Sequence, residues 1–158
     1  MEIKLNQIEF VIDELRKDAN SRRAVIDVRD NKEDTYADDP ACLQHIQFFI
    51  RHNKLDCSVL FRSNDLFKAT YMNAFALIML QKRVADELGI GVGTYTHRAN
   101  SAHVYERDFA ALEGAVKRID AEPFEDLTYN YIGDWDEQMA AERPRILEFV
   151  EKLREEES

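Results

Sequence analysis

Excess basic charge, long apolar runs and paired cysteines are all missing from this chain, and each absence removes a class of function. Lysine and arginine number 21 against 31 aspartates and glutamates, a formal net charge of −10. So acidic a chain lacks the broad basic surface that displaces counterions from a nucleic-acid polymer. It can still hold one phosphate, because a local arginine cluster suffices for that. The longest apolar run, Ala74 to Leu80, is far too short to cross a bilayer, so no membrane partner is expected. Met1 is followed by Glu2 and Lys4 with no apolar signal region behind them. Only Cys42 and Cys57 are present, so no disulfide scaffold is expected and a reducing, cytoplasmic setting is the default. No Cys-x-x-Cys or His-Glu-x-x-His spacing joins Cys42, His45, Cys57, His97 and His103 into a metal site. Gly89, Gly91 and Gly93 follow a helical pattern, the wrong context for a dinucleotide loop.

What is present reads as a single domain over residues 1–158, 45% apolar and 33% charged, without repeats, low-complexity tracts or a Gly/Ser linker. Ile8, Val11, Ile12 and Leu15 fall at helical spacing and predict an amphipathic helix from Leu5 to Lys17. Ala24 to Val28 reads as a strand, and Asp30 to Asp39 as a polar loop ending at Pro40. Leu43 to Ile50 and Leu55 to Phe61 form a predicted hairpin turning at His52-Asn53. Leu55, Cys57, Val59 and Phe61 alternate with polar residues, so one face of that strand is buried. Phe48-Phe49-Ile50 in a row predicts that the first strand of the hairpin is covered on both faces. Tyr71 to Leu88 reads as a long helix, its first half apolar all round and therefore buried, with Gly89 as its stop. Val92 to His97 and Leu127 to Ile132 are expected strands, and Phe109, Leu112, Val116 and Ile119 an expected helix. Pro144 is expected in the first turn of a terminal helix carrying Ile146, Leu147, Phe149, Val150 and Leu153. The elements mix without regular βαβ alternation, which gives an α+β fold: a mixed sheet, a long buried helix and flanking helices.

Several side chains stand out for chemistry. Cys42 lies between a proline-led loop and a strand, where a thiol is held at a cleft edge; the alternative is a small buried hydrophobe. Thiols attack as thiolates, a form that neighbouring cations favour. Arg22, Arg23 and Arg62 are candidate phosphate ligands with planar forks, and Ser63 adds a hydroxyl; solvated surface arginines are the alternative. Asn64 lies within the same short motif. Asp65 and Asn73 are short polar groups in a segment ready for burial, where an amide can read a pyrimidine's carbonyl and N–H together. Asp65 could equally be a helix N-cap. His103 and Tyr105 share a face if extended and could bind a sugar hydroxyl, or be a satisfied histidine and a core tyrosine. Cys57, on the apolar parity of its strand, belongs to the core.

In order, Ser21-Arg22-Arg23, Pro40-Ala41-Cys42, Arg62-Ser63-Asn64-Asp65, Asn73 and His103-Val104-Tyr105 resemble the nucleotide half of the thymidylate synthase and pyrimidine C5 hydroxymethylase family over roughly Ile8 to Ile119. The Arg-Ser-Asn-Asp motif followed by Asn73 in Met-Asn-Ala-Phe-Ala-Leu is the most specific part. The resemblance implies a C5 methyltransferase that turns dUMP into dTMP with 5,10-methylenetetrahydrofolate as co-substrate and no metal. Cys42 would attack C6 of the base. Arg62 and Ser63 would hold the phosphate, with Arg22 and Arg23 reaching it from the partner subunit of a homodimer. Asn64 falls within the substrate-binding motif, Asn73 would read the base edge, and His103 and Tyr105 would hold the deoxyribose hydroxyl. Asp65 would bind both substrate and the pterin of the folate. An amide at Asn73 suits uracil, since the cytosine hydroxymethylases tend to carry aspartate there. Leu43 and Phe61 stand where histidine and glutamine are common in the family. By the same comparison the chain is short of the family's usual N-terminal segment, and its charged end, Lys152 to Ser158, replaces a short apolar tail. Two other readings go with the resemblance: a C5 hydroxymethylase, and a dUMP-binding module without catalysis. Adjacent arginines on extended backbone point to opposite sides, so Arg22 and Arg23 are expected to meet Arg62 through a second copy, with a sheet face packed at the dimer interface.

Overall fold

The computed structural model describes residues 6–128 and 131–156. The architecture is α+β, with two compact units, one up to Phe109 and one from Ala110.

The first unit opens with helix α1, Gln7–Lys17, whose first turn is capped by Asn6: its Oδ1 accepts from the Ile8 and Glu9 N–H groups at 3.2 and 3.3 Å. Arg16 and Lys17 suit the negative end of the helix. Strand β1, Val25–Asp27, pairs antiparallel with β2, Leu43–Arg51, which pairs antiparallel with β3, Lys54–Phe61. The hairpin turns at His52 and Asn53, as its sequence predicts, with φ of 50° and 58°. Two positive angles in a row give the turn whose twist matches the flanking strands. After β3 come the short strand β4, Asn64–Asp65, and helix α2, Ala69–Leu88, which leads to β5, Gly91–Ala99. β5 lies parallel to β3, giving the order β1-β2-β3-β5, and α2 is the crossover that a parallel pair requires. Gly89 ends α2 in the left-handed region, φ 68°. β6, Ala102–His103, pairs parallel with β4 in a separate two-stranded sheet.

The core lies between one face of the main sheet and the two helices. Ile26, Ile46, Phe48, Leu55, Cys57, Val59 and Phe61 meet Val11, Leu15, Leu77, Val84 and Ala85 there. Gln81 of α2 is fully buried among them, and its Nε2 donates to the Leu55 carbonyl at 2.7 Å. That bond falls where the β3–β5 register shifts between Leu55 and Cys57, so Gln81 serves a carbonyl at the bulge. Gly93 sits at the same place: a Cβ there would meet the Asp56 carboxylate and the Leu55 backbone.

Two sequence expectations change here. Among the described residues of this unit β2 is not covered on both faces: Phe48 is buried, but Phe49 is half-buried on the opposite face with the Arg51 guanidinium 5.4 Å from its ring centre. The first half of α2 is not buried all round either. Met72 is 68% exposed and Ile78 38%, because the sheet approaches this helix along one stripe, Leu77, Gln81, Val84 and Ala85.

The second unit follows the start of α3, Phe109–Ala121, none of whose residues is buried. A 3-10 turn spans Phe124–Leu127, and residues Tyr131–Trp135 form a π-type turn broken at Ile132 and Gly133. The expected strand from Leu127 to Ile132 is therefore absent from its described residues; Tyr129 and Asn130 lie outside them. Helix α4, Asp136–Glu156, starts well before Pro144. The start signal is Asp136, whose Oδ1 accepts the Gly133 N–H at 2.9 Å, and Pro144 falls inside, where it removes one helical N–H. Among the described residues no helix is long and apolar enough to cross a membrane.

Candidate functional site

Cys42 and Arg62 come together where the β2–β3 hairpin opens. The Arg62 N–H donates to the Cys42 carbonyl at 2.8 Å, just beyond the Leu43–Phe61 pair. The Arg62 guanidinium reaches back over the loop ahead of Cys42. Nε donates to the Ala41 carbonyl at 3.2 Å and Nη2 to the Pro40 carbonyl at 2.5 Å, with Asp39 at 3.6 Å. These bonds fix the fork and leave other N–H groups for an incoming anion. Asp34 steadies the same loop by accepting the Ala41 N–H at 2.9 Å and the Asp30 N–H at 2.7 Å. Those bonds, Ala41's foremost, hold its carboxyl below the usual carboxylate range. Cys42 is exposed, so it is not a core hydrophobe. Cys57 is one, and burial pushes its thiol up to about 12.

Ser63, His103 and Tyr105 form a second group. The β4–β6 register sets Asp65 opposite His103, and Ser63 Oγ lies 3.4 Å from His103 Nδ1. The Tyr105 ring meets the His103 ring edge-on, centres 5.0 Å apart, with the Arg107 guanidinium 4.5 Å from the Tyr105 ring centre. Tyr105 is exposed rather than a core residue. A hydroxyl, an imidazole and a phenol at one edge can serve a polyhydroxy ligand.

Asn64 links the third group and is only 4% exposed. Its Nδ2 donates to Thr70 Oγ1 at 2.8 Å and lies 3.0 Å from His97 Nε2, while its Oδ1 accepts from Asn73 Nδ2 at 3.0 Å. His97 stacks on Phe61, ring centres 4.7 Å apart, and its Nδ1 is 2.9 Å from the Tyr95 hydroxyl. Burial lowers the His97 pKa and, foremost among its causes, pushes Tyr95 up to about 12, so both are neutral near pH 7. Asp65 Oδ1 accepts the Phe67 and Lys68 N–H groups at 2.9 and 3.2 Å, capping the turn into α2. Its Oδ2 has no hydrogen bond among the described residues.

Arg22 and Arg23 are placed elsewhere. Val25 pairs with Gln47, so both arginines lie towards the Phe49 end of β2 while Cys42 precedes Leu43 at the other. Several strand residues at ~3.3 Å each separate them by roughly 20 Å. Arg23 is tied to α1: its Nε donates to Glu14 Oε1 at 3.0 Å, and Ser21 Oγ donates to the same oxygen at 2.6 Å. The Ser21 bond, ahead of Arg23, lowers the Glu14 pKa although burial opposes it. The Arg22 carbonyl accepts from Gln47 Nε2 at 3.0 Å.

Glu14, Thr70, Tyr95 and the pairing role of His97 were not apparent from the residues alone. Glu14 could have been noticed as an acid on the Val11–Leu15 apolar face, and Tyr95 and His97 as polar rings on the core parity of β5. Among the described residues no group of three or more His, Cys, Asp or Glu could hold a metal ion.

A family model described as thymidylate synthase matches residues 1–142, a span that holds every residue of the three groups. The Methanocaldococcus jannaschii protein named "Putative thymidylate synthase" is 44% identical over 114 residues, 67% of this chain and 50% of its own length. Proteins of the same name from Methanothermobacter thermautotrophicus and Methanosarcina barkeri are 36% and 35% identical over 113 and 116 residues. Those matches cover 72% and 73% of this chain and 51% and 54% of the relatives. The chain thus spans about half the length of the curated relatives it matches. A model match over most of the chain leads to one conclusion: the chain belongs to the thymidylate synthase family.

Proposed function

We propose that the chain carries the nucleotide half of a cytoplasmic C5 methyltransferase that converts dUMP to dTMP. The observation that supports this reading is the tie between the Arg62 guanidinium and the Pro40-Ala41 carbonyls, on the loop that carries the exposed Cys42 thiol. Cys42 Sγ adds to C6 of the uracil ring, and the electron pair moves to C5, which becomes the nucleophile. Arg62 and Ser63 hold the phosphate. His103 and Tyr105 take the deoxyribose hydroxyl, and Asn73 reads the base edge from its place beside Asn64. 5,10-Methylenetetrahydrofolate supplies the carbon and the hydride. Asp65, one oxygen engaged in the turn and the other without a hydrogen bond among the described residues, suits the edge of the pterin. Arg22 and Arg23 reach the phosphate of a neighbouring copy across the sheet face that bears Gln47, Phe49 and Leu60, the face opposite the one that α1 and α2 cover. Their distance from Cys42 along β2 supports that exchange.

Intact-mass measurement after incubation with 5-fluoro-dUMP and methylenetetrahydrofolate tests the reading. A covalent complex of all three components is the expected result. A complex with the nucleotide alone would restrict the chain to nucleophilic attack, and no adduct would leave a dUMP-binding module.

A further inference from the structure

Asn73 can distinguish pyrimidines only if its amide faces one way. The oxygen and nitrogen of an amide have nearly the same shape, so their partners decide the direction. One group in this network has a fixed polarity: the Asp65 carbonyl, which can only accept. The Thr70 hydroxyl donates to it at 3.0 Å. With its single proton committed, Thr70 Oγ1 must act as acceptor towards Asn64, whose Nδ2 lies at 2.8 Å. Asn64 is thereby obliged to turn Oδ1 to Asn73, which donates from Nδ2 at 3.0 Å. At 4% exposure, Asn64 has little access to water that could reverse it. His97, 3.0 Å from the same Nδ2, cannot set the direction. Its tautomer follows its neighbours, and the Tyr95 hydroxyl on its other nitrogen can donate or accept.

We infer that Thr70, acting through Asn64, is the positioning residue that orients the Asn73 amide and so makes the site select uracil over cytosine. The inference rests on the proposed base-reading role of Asn73. With one Nδ2 hydrogen held by Asn64, Asn73 presents one N–H and one carbonyl oxygen. Uracil answers with a carbonyl and an N–H, while cytosine offers an amino group and a bare nitrogen in the reverse order. Reversing the relay would reverse what Asn73 presents without changing Asn73. The first turn of α2 carries both ends of the device, since Thr70 and Asn73 are one turn apart on one face.

Calorimetric titration of the whole chain with dUMP and dCMP tests the relay, using Thr70→Val, which removes the hydroxyl at similar volume, and Thr70→Ser, which keeps it. The unmodified chain and Thr70→Ser should prefer dUMP by about tenfold or more, and Thr70→Val should lose about tenfold of that preference. Affinity for inorganic phosphate should be alike in all three. Should Thr70→Val fail to fold by circular dichroism, Thr70→Ala takes its place, alanine being the strongest helix former. A preference retained without the hydroxyl overturns the inference, and so does an equal loss in Thr70→Ser, which would point to packing. A chain that binds dUMP and dCMP equally well before any substitution defeats the reading of Asn73 itself.

Discussion

Substituting alanine for Gly93 would drive a methyl group into the backbone of β3. Its Cβ would lie 2.8 Å from the Leu55 carbonyl oxygen and 2.9 Å from its carbon, and against Asp56 Oδ1. The first two atoms belong to the ladder and cannot withdraw without parting β3 from β5. Asp56 could swing aside, but its Oδ1 accepts the Thr94 N–H at 2.8 Å, and that bond would be lost. Overpacking of this kind costs about 1–3 kcal/mol and a lost hydrogen bond about 1 kcal/mol. The smaller entropy of the unfolded alanine chain offsets about 0.4–1 kcal/mol. A net loss of about 1–3.5 kcal/mol remains, which corresponds to a melting point lower by about 2–14 °C in a chain of this size. Urea and thermal unfolding followed by circular dichroism read it directly. Gly91→Ala is the matched control, since its Cβ meets the flexible Lys54 Cγ at 3.3 Å and should cost less than ~1 kcal/mol. Equal midpoints for Gly93→Ala and the unmodified chain would refute the account of the bulge.

Cys42→Ser should abolish exchange of the C5 hydrogen of dUMP while leaving nucleotide affinity nearly intact; exchange at the unmodified rate would remove Cys42 from covalent catalysis. Mixing Arg22→Ala/Arg23→Ala chains with Cys42→Ala chains should restore about a quarter of full activity, because random pairing makes half the dimers heterodimers with one intact site. No recovery despite proven subunit exchange, or a monomer by light scattering, would rule out the shared site. The lowered pKa of Glu14 stabilises the fold above the ordinary carboxylate range, and that stabilisation is lost as pH falls through the folded value. The urea midpoint should therefore drop less between pH 6 and pH 3 in Glu14→Gln than in the unmodified chain, and parallel curves would contradict the role given to Ser21 and Arg23.

What could be read from the residues was local. The alternation of Leu55, Cys57, Val59 and Phe61 fixes a buried face whatever lies beyond it, and all four are buried. Gly89 and the His52–Asn53 turn declare themselves by backbone preference alone. Pro144 misled because its permitted first-turn position looks the same in sequence as a tolerated interior one, and the acidic start at Asp136 was the better signal. The apolar girdle of α2 overstated burial because composition around a helix does not say how many faces find a neighbour. The candidate site divides in the same way. Its expected members, Cys42, Arg62, Ser63, Asn64, Asp65, Asn73, His103 and Tyr105, were named from their order along the chain. The bonds among Thr70, Asn64, His97 and Asn73 were not, since they depend on β4, β5 and α2 coming together in the fold.

The parallel pairing of β3 with β5 also orders events in time. The β2–β3 hairpin closes through a two-residue turn, a contact that costs little loop entropy and forms in microseconds. β5 can join only after the whole of α2 has been laid down between them, and contacts so distant along the chain are slow to form. Tyr95 and His97 arrive with it, and until they do Asn64 lacks part of its shell. Pulse-labelled hydrogen exchange should find the hairpin amides protected before those of β5; simultaneous protection would contradict the order. A nascent chain would then hold a formed hairpin well before the hydrogen bonds around Asn64 were complete.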